Sequence, residues 1–123
     1  MELCAISELV GKTMTSVLAF DAAAIRFKTT DHQIYQLYHD QDDDERVYIE
    51  LIHGNLSDLM GSPIIVAEES VGKEPREIDQ DDTHSHSWTF YKFATLKGIV
   101  HVRWFGRSNG WCSERPDMFK ITA

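Results

Sequence analysis

Two short stretches concentrate the residue types that can hold a metal ion. Asp40-Gln41-Asp42-Asp43-Asp44-Glu45 is acidic at every position but one, and His84-Ser85-His86 lies just after Asp81-Asp82. A helix–loop–helix calcium site needs glycine at its sixth place and glutamate at its twelfth. Counted from Asp40, those places hold Glu45 and Leu51, so the motif is not met. A looser divalent site from Asp42, Asp44 and Glu45 has less support than a solvated acidic turn. The His-x-His spacing sets both imidazoles on one side of an extended strand, and a metal there needs a third ligand such as His39 or His101. The default reading is exposed, titrating histidines, so neither a metal nor a cofactor is expected. Cys4 and Cys112 stand almost the full chain apart and outside any zinc spacing, which reads as two packed thiols. There is no Gly-x-Ser-x-Gly elbow, phosphate-binding loop or dinucleotide fingerprint, so no catalytic residue is assigned and no enzyme is expected.

Charge narrows the partners further. The net charge is −8, and it is unevenly spread along the chain. Residues 1–86 carry 18 acids against 6 bases, and residues 87–123 carry 2 acids against 6 bases. An acidic chain argues against direct binding to nucleic acid, since phosphate recognition needs Lys and Arg. The polarity leaves an acidic face for a basic partner and a small basic face for an anion.

The basic face depends on the stretch Ser87–Gly110, which reads as a β-hairpin of aromatic and β-branched runs around Lys97-Gly98. A two-residue turn at Lys97-Gly98 pairs Leu96 with Ile99, Lys92 with Arg103 and Tyr91 with Trp104. One face then holds Phe93, Val102, Tyr91 and Trp104, a core layer in which each large side chain contributes about 1.5–3 kcal/mol. The other holds Lys92, His101, Arg103, Phe90 and Phe105, with Trp88 and Arg107 at the open end. Lys92 opposite Arg103 is unfavourable by up to about 1 kcal/mol. Acids from the Asp40–Glu45 loop or Glu68/Glu69 can offset it, and so can a bound anion. An anionic nucleotide would use Trp88, Lys92, His101 and Arg103 together with Ser108 and Asn109 of the Ser-Asn-Gly turn, which Trp88 and Trp111 could make a recognition loop.

Around the hairpin, period-2 patterning predicts strands at Thr13–Phe20, Ala24–Thr29, Gln33–His39, Val47–Ile52 and Pro63–Glu69. Ile25, Phe27 and Thr29 share one face, as do Tyr35 and Leu37. Short helical turns are expected at Ile6–Val10, closed by Gly11, and from Asn55 to Gly61. Residues of about 70–86 read as a mobile acidic loop, and Met118–Ile121 as an added edge strand. The fold class is mainly β: a single antiparallel domain over residues 1–123, six or seven strands in a curled sheet or small sandwich, with one or two short helices. No apolar run reaches the roughly 20 residues that span a bilayer, and the acidic N-terminus is unlike a secretory signal. A protein of the cytoplasm, with no membrane partner, is expected.

Several segments occur together in a recognisable order. They are Leu9-Val10-Gly11-Lys12-Thr13, Tyr38-His39-x-Gln41-Asp42, Glu45-x-Val47-Tyr48-Ile49-Glu50, Gly54-x-Leu56-x-Asp58-Leu59-x-Gly61-Ser62-Pro63-Ile64, Ala67-Glu68-Glu69, Trp88-Thr89-Phe90-Tyr91-Lys92 and Arg103-Trp104-x-Gly106-x-Ser108-Asn109-Gly110-x-x-Ser113-Glu114. This pattern resembles a family of small phage- and prophage-encoded proteins carrying a domain of unknown function. The family has two cysteines where Asp43 and Asp44 stand here, and two tyrosines in place of Trp111 and Cys112, so a cysteine-based role does not carry over. The resemblance implies a phage origin and one compact domain, and it implies no activity; the cytoplasm expected is then that of the host cell.

The expected function is a non-enzymatic accessory protein that binds and inhibits a host factor, in the manner of a counter-defence protein. Asp40, Asp42, Asp43, Asp44 and Glu45 would face a host protein with a basic surface. The alternative is the anionic-nucleotide module just described. A homodimer is compatible with either.

Overall fold

The computed structural model describes residues 1–41, 45–72, 85–108 and 114–121. These residues form strands β1 (Glu2–Cys4), β2 (Met14–Phe20), β3 (Ala24–Thr29), β4 (Ile34–Tyr38), β5 (Glu45–His53), β6 (Val66–Gly72), β7 (Ser85–Thr95), β8 (Gly98–Ser108) and β9 (Asp117–Ile121). The fold is mainly β, as expected, but it has nine strands where six or seven were predicted. They make two antiparallel sheets, ordered β1-β9-β4-β3-β2 and β5-β8-β7-β6. Single 3₁₀ turns at Ile6–Leu9 and Leu56–Leu59 occupy the two places predicted for short helices. Among the described residues, no helix is long and apolar enough to cross a membrane.

Alternation explains most of these elements. In β3, Ile25, Phe27 and Thr29 are buried while Arg26 and Lys28 are exposed, and in β4 Tyr35 and Leu37 point inward. Residues of alternate positions share a face, so β2, β3 and β4 present one apolar surface to the other sheet. Tyr91, Phe93, Val100, Val102 and Trp104 of β7 and β8 meet it, and both sets join in one core. The rings of Phe27 and Phe93 touch across the sandwich at 5.2 Å, tilted by 55°.

Three expectations about element boundaries and order are corrected. The C-terminal strand is not an edge: β9 lies between β4 and β1, pairing Leu37 with Met118 and Leu3 with Phe119. Strand β1 has only three residues, too few for alternation to show in sequence. The strand predicted from Pro63 begins instead at Val66, because Ile64 N–H donates to Lys12 O (2.9 Å) and Ile65 N–H to Ala94 O (2.8 Å), stitching the crossover between sheets. At its other end β6 runs on to Gly72, and β7 starts at Ser85, so the predicted 70–86 loop loses both flanks to strand. Its remainder, residues 73–84, lies outside the described residues.

The hairpin register is also corrected. Thr95 pairs with Gly98, so Leu96-Lys97 is the turn and each partner moves by two residues from the expected pairing. A displacement of two leaves every side chain on its predicted face. Lys92 therefore stands opposite His101, and Arg103 opposite Phe90, rather than opposite each other. The cause is tertiary. Thr95 Oγ1 accepts the Lys97 N–H (3.1 Å) and donates to the Asp58 carbonyl, while Lys97 Nζ donates to Met60 O (2.8 Å). Gly98 does not take a positive φ. A Cβ there would sit 2.7 Å from Asp58 Oδ2, so a larger residue would make the Asp58 side chain shift.

Candidate functional site

The outward face of the β5-β8-β7-β6 sheet carries the residues the sequence offered for an anion. Antiparallel pairing sets them in rungs, where directly opposite side chains share a face. One rung runs Glu68–Lys92–His101–His53, and a second runs Ser70–Phe90–Arg103–Leu51. Lys92, Phe90 and His101 border a depression of about 240 Å³ together with Glu68 and Ser70. Lys92 and Arg103 thus do share one face.

Arg103 meets a carboxylate, and Lys92 has one opposite it in register. Glu68 is the direct cross-strand partner of Lys92. The β5–β8 ladder is irregular between Ile49 and Leu51, and Glu50 is the extra residue there. Such a bulge re-aims a side chain, and Glu50 reaches Arg103 at 2.9 Å with both side chains largely buried (18% and 26% exposed). Arg115 pairs with Glu69 at 2.6 Å. Glu50, not Glu68 or Glu69, supplies the offset at Arg103, while Glu68 stands opposite Lys92 in register and Glu69 pairs with Arg115. Glu50 escaped notice because the bulge cannot be seen before β5 is paired.

The other nucleotide-binding candidates are placed differently. Trp88 lies on the outward face yet is buried, 1% exposed, with its ring 5.2 Å from that of Phe105. Ser108 is fully buried, and its hydroxyl donates to Glu114 Oε1 at 2.9 Å. Neither is available as a surface contact. Asn109 and Trp111 lie outside the described residues.

Of the acidic candidates, Asp40 is exposed, and Asp42, Asp43 and Asp44 lie outside the described residues. Glu45 is corrected: it points inward, its side chain only 4% exposed, against His39. The His39 ring bridges Glu45 Oε1 through Nε2 and the Arg115 carbonyl through Nδ1 (2.8 Å), which ties β4, β5 and the approach to β9 together. Glu45 anchors the acidic segment rather than extending its surface.

Remaining titratable groups are structural in character. Among the described residues, no group of three His, Cys, Asp or Glu is placed to hold a metal. His84 and Cys112 lie outside them. Burial pushes the Cys4 thiol up, with Glu8 and Glu2 adding to it, opposite to what a reactive thiolate needs. Burial also raises the Tyr35 phenol to about 12 and lifts Tyr91 higher still, the Glu8 and Glu69 carboxylates reinforcing each.

One further pair of rungs was not anticipated. Arg46 of β5 stands directly opposite Arg107 of β8, and Arg107 opposite His86 of β7. Beside them lie Tyr48, Phe105 and Trp88, also in register. The register of β5 against β8 is the only signal that aligns them, and it depends on the Glu50 bulge.

Comparison with known proteins gives one match. Residues 7–118 fit the profile of a domain of unknown function, DUF7448. No curated protein and no solved structure matches the chain.

Proposed function

This chain belongs to the DUF7448 family, and we propose that it is a non-enzymatic module that binds and inhibits a host protein through its acidic surface. The observation that carries this reading is where the charge ends up. The C-terminal strands hold the chain's excess of cations, and Arg103 and Arg115 are paired with Glu50 and Glu69 from its acidic part. The folded protein spends these bases internally and keeps a net charge of −8. Glu2, Glu8, Asp21, Asp31 and Asp40 are exposed. Long-range attraction of that sign speeds encounter with a basic protein and selects against acidic ones.

Asp40, Asp42, Asp43 and Asp44 form the centre of the contact, and Glu45 holds the segment to the body through His39. The resemblance to phage- and prophage-encoded proteins supplies the setting, a counter-defence protein acting in the host cytoplasm on a factor with a basic surface. The test is binding of the full chain to purified basic host proteins, with Asp42→Lys/Asp44→Lys as the comparison. A partner bound equally well by the charge-reversed protein removes the acidic mechanism.

A further inference from the structure

In the first sheet the outward face departs from the usual pattern. An antiparallel sheet with one face on the core is ordinarily polar on the other. Here strand pairing lines up Leu18, Arg26, Gln36, Phe119 and Leu3 in one rung across all five strands. The rungs beside it add Phe20 and Tyr38 on one side, and Ile34 and Ile121 on the other. Leu3, Leu18 and Phe20 are exposed, and so is Met1, whose sulfur accepts from the Tyr38 hydroxyl at 3.6 Å. A contiguous apolar surface of this kind marks a contact site.

Its charges also set it apart. The described strand residues of this face include Arg26, Lys28 and one acid, Asp117, so the face is close to neutral while the chain carries −8. The Arg26 guanidinium is held by its own neighbours: it donates twice to Gln36 Oε1 (2.9 and 2.6 Å) and stands 5.7 Å over the Phe20 ring. Neither Arg26 nor Lys28 has a carboxylate partner among the described residues.

The order of the rungs selects what can cover them. Strand β4 is the middle of the five, and a two-fold axis laid along it reads each rung against its own reverse. In the long rung, Leu18 then meets Leu3 of the second copy, Arg26 meets the Phe119 ring, and Gln36 meets Gln36. In the rung of Lys28, that lysine meets Ile121, and Ile34 meets Ile34. Asp117 of the second copy falls over Ala24, two residues along β3 from Arg26. No cation faces a cation, and a guanidinium against an aromatic face is attractive. Aligned sheets pack about 10 Å apart with a rotation of about 30°, so the match is closest at Gln36.

We infer that a second copy of this chain packs sheet to sheet on this face, as an isologous dimer with its axis along β4. Five strands at about 4.8 Å and five residues at about 3.3 Å cover about 400 Å² per copy, the size of a weak, exchanging contact rather than an obligate one. The dimer is therefore reversible. It uses none of the acidic segment and stands whether or not a basic host protein is bound.

The test is sedimentation equilibrium of the full chain from about 10 to 500 µM, at low and at high salt. A monomer–dimer equilibrium is expected, with a Kd of about 10–100 µM at about 0.5 M NaCl. It is at least about threefold weaker at about 0.05 M, where repulsion between two copies of charge −8 is less screened. Leu18→Glu and Leu3→Glu, each at an exposed position, weaken it at least about tenfold by burying an unpaired charge. Leu96→Glu adds the same charge at an exposed turn of the other sheet and leaves it within about twofold. Circular dichroism verifies that the variants are folded. A chain that stays monomeric at about 500 µM in high salt leaves this face to a different partner and overturns the inference. So does an association that Leu18→Glu and Leu96→Glu weaken alike, or one that salt only weakens.

Discussion

Removing the Glu50–Arg103 pair tests whether the sheet neutralises its own cations. At 2.9 Å, Coulomb's law gives about 1.4 kcal/mol in bulk water and about 5.7 kcal/mol at the effective dielectric of a protein surface. Desolvation and loss of side-chain freedom return much of that, and fully exposed pairs measure only about 0.2–1 kcal/mol. With exposures of 26% and 18%, this pair lies between an exposed and a buried one, and a coupling of about 1–1.5 kcal/mol is expected. Because both residues have other neighbours, a double-mutant cycle of Glu50→Gln and Arg103→Gln is needed to isolate the pairwise contribution. Urea unfolding reads it: with a slope of about 2 kcal/mol per molar, the midpoint of either single variant falls by at least about 0.5 M. The double variant falls by less than the two singles added together. A coupling under about 0.3 kcal/mol, or additive single effects, would refute the argument that Arg103 is held by an internal acid.

Three other predictions follow from the geometry. Gly106→Ala places a Cβ 1.9 Å from the Glu114 carbonyl oxygen, a backbone atom that cannot swing aside; the variant loses at least about 3 kcal/mol, and a normal melting temperature contradicts the close approach. Thr95→Val removes a hydroxyl that bonds Lys97 N and the Asp58 carbonyl, costing about 1–2 kcal/mol, and hydrogen exchange at Lys97 should speed up with it. Tyr35 keeps its proton in the folded state from pH 10 to about 12, where the unfolded chain has lost it. Stability therefore falls as pH rises across that window, and Tyr35→Phe removes its share of the fall, measured by urea unfolding at a series of alkaline pH values.

Much of the fold is legible because each sheet buries one face. Ile25, Phe27 and Thr29, then Tyr35 and Leu37, alternate cleanly, and the meander they define is present. The core face of the hairpin is read correctly for the same reason. Its register is not, because the turn is set by Asp58 and Met60, nearly forty positions away in sequence, rather than by the local Lys-Gly pair. Strand β1 is invisible at three residues, and its pairing is what converts β9 from an edge to an interior strand.

The candidate site is legible in part. Lys92, His101 and Arg103 do share an outward face, as period 2 requires. Composition cannot tell which acids meet them, since Glu50 acts through a bulge and Glu45 is turned inward by His39. Trp88 shows the limit of alternation: it is on the outer face and still buried. The Arg46–Arg107–His86 rung joins residues about 60 and 20 positions apart in the chain, and only strand pairing brings them together.

The ionic-strength dependence of binding to a purified basic partner tests the functional account most directly. If exposed carboxylates drive the contact, affinity drops at least about tenfold between low and physiological salt, and the slope shrinks with Asp42→Lys/Asp44→Lys. An affinity that stays level with salt, and is the same for the charge-reversed protein, contradicts it.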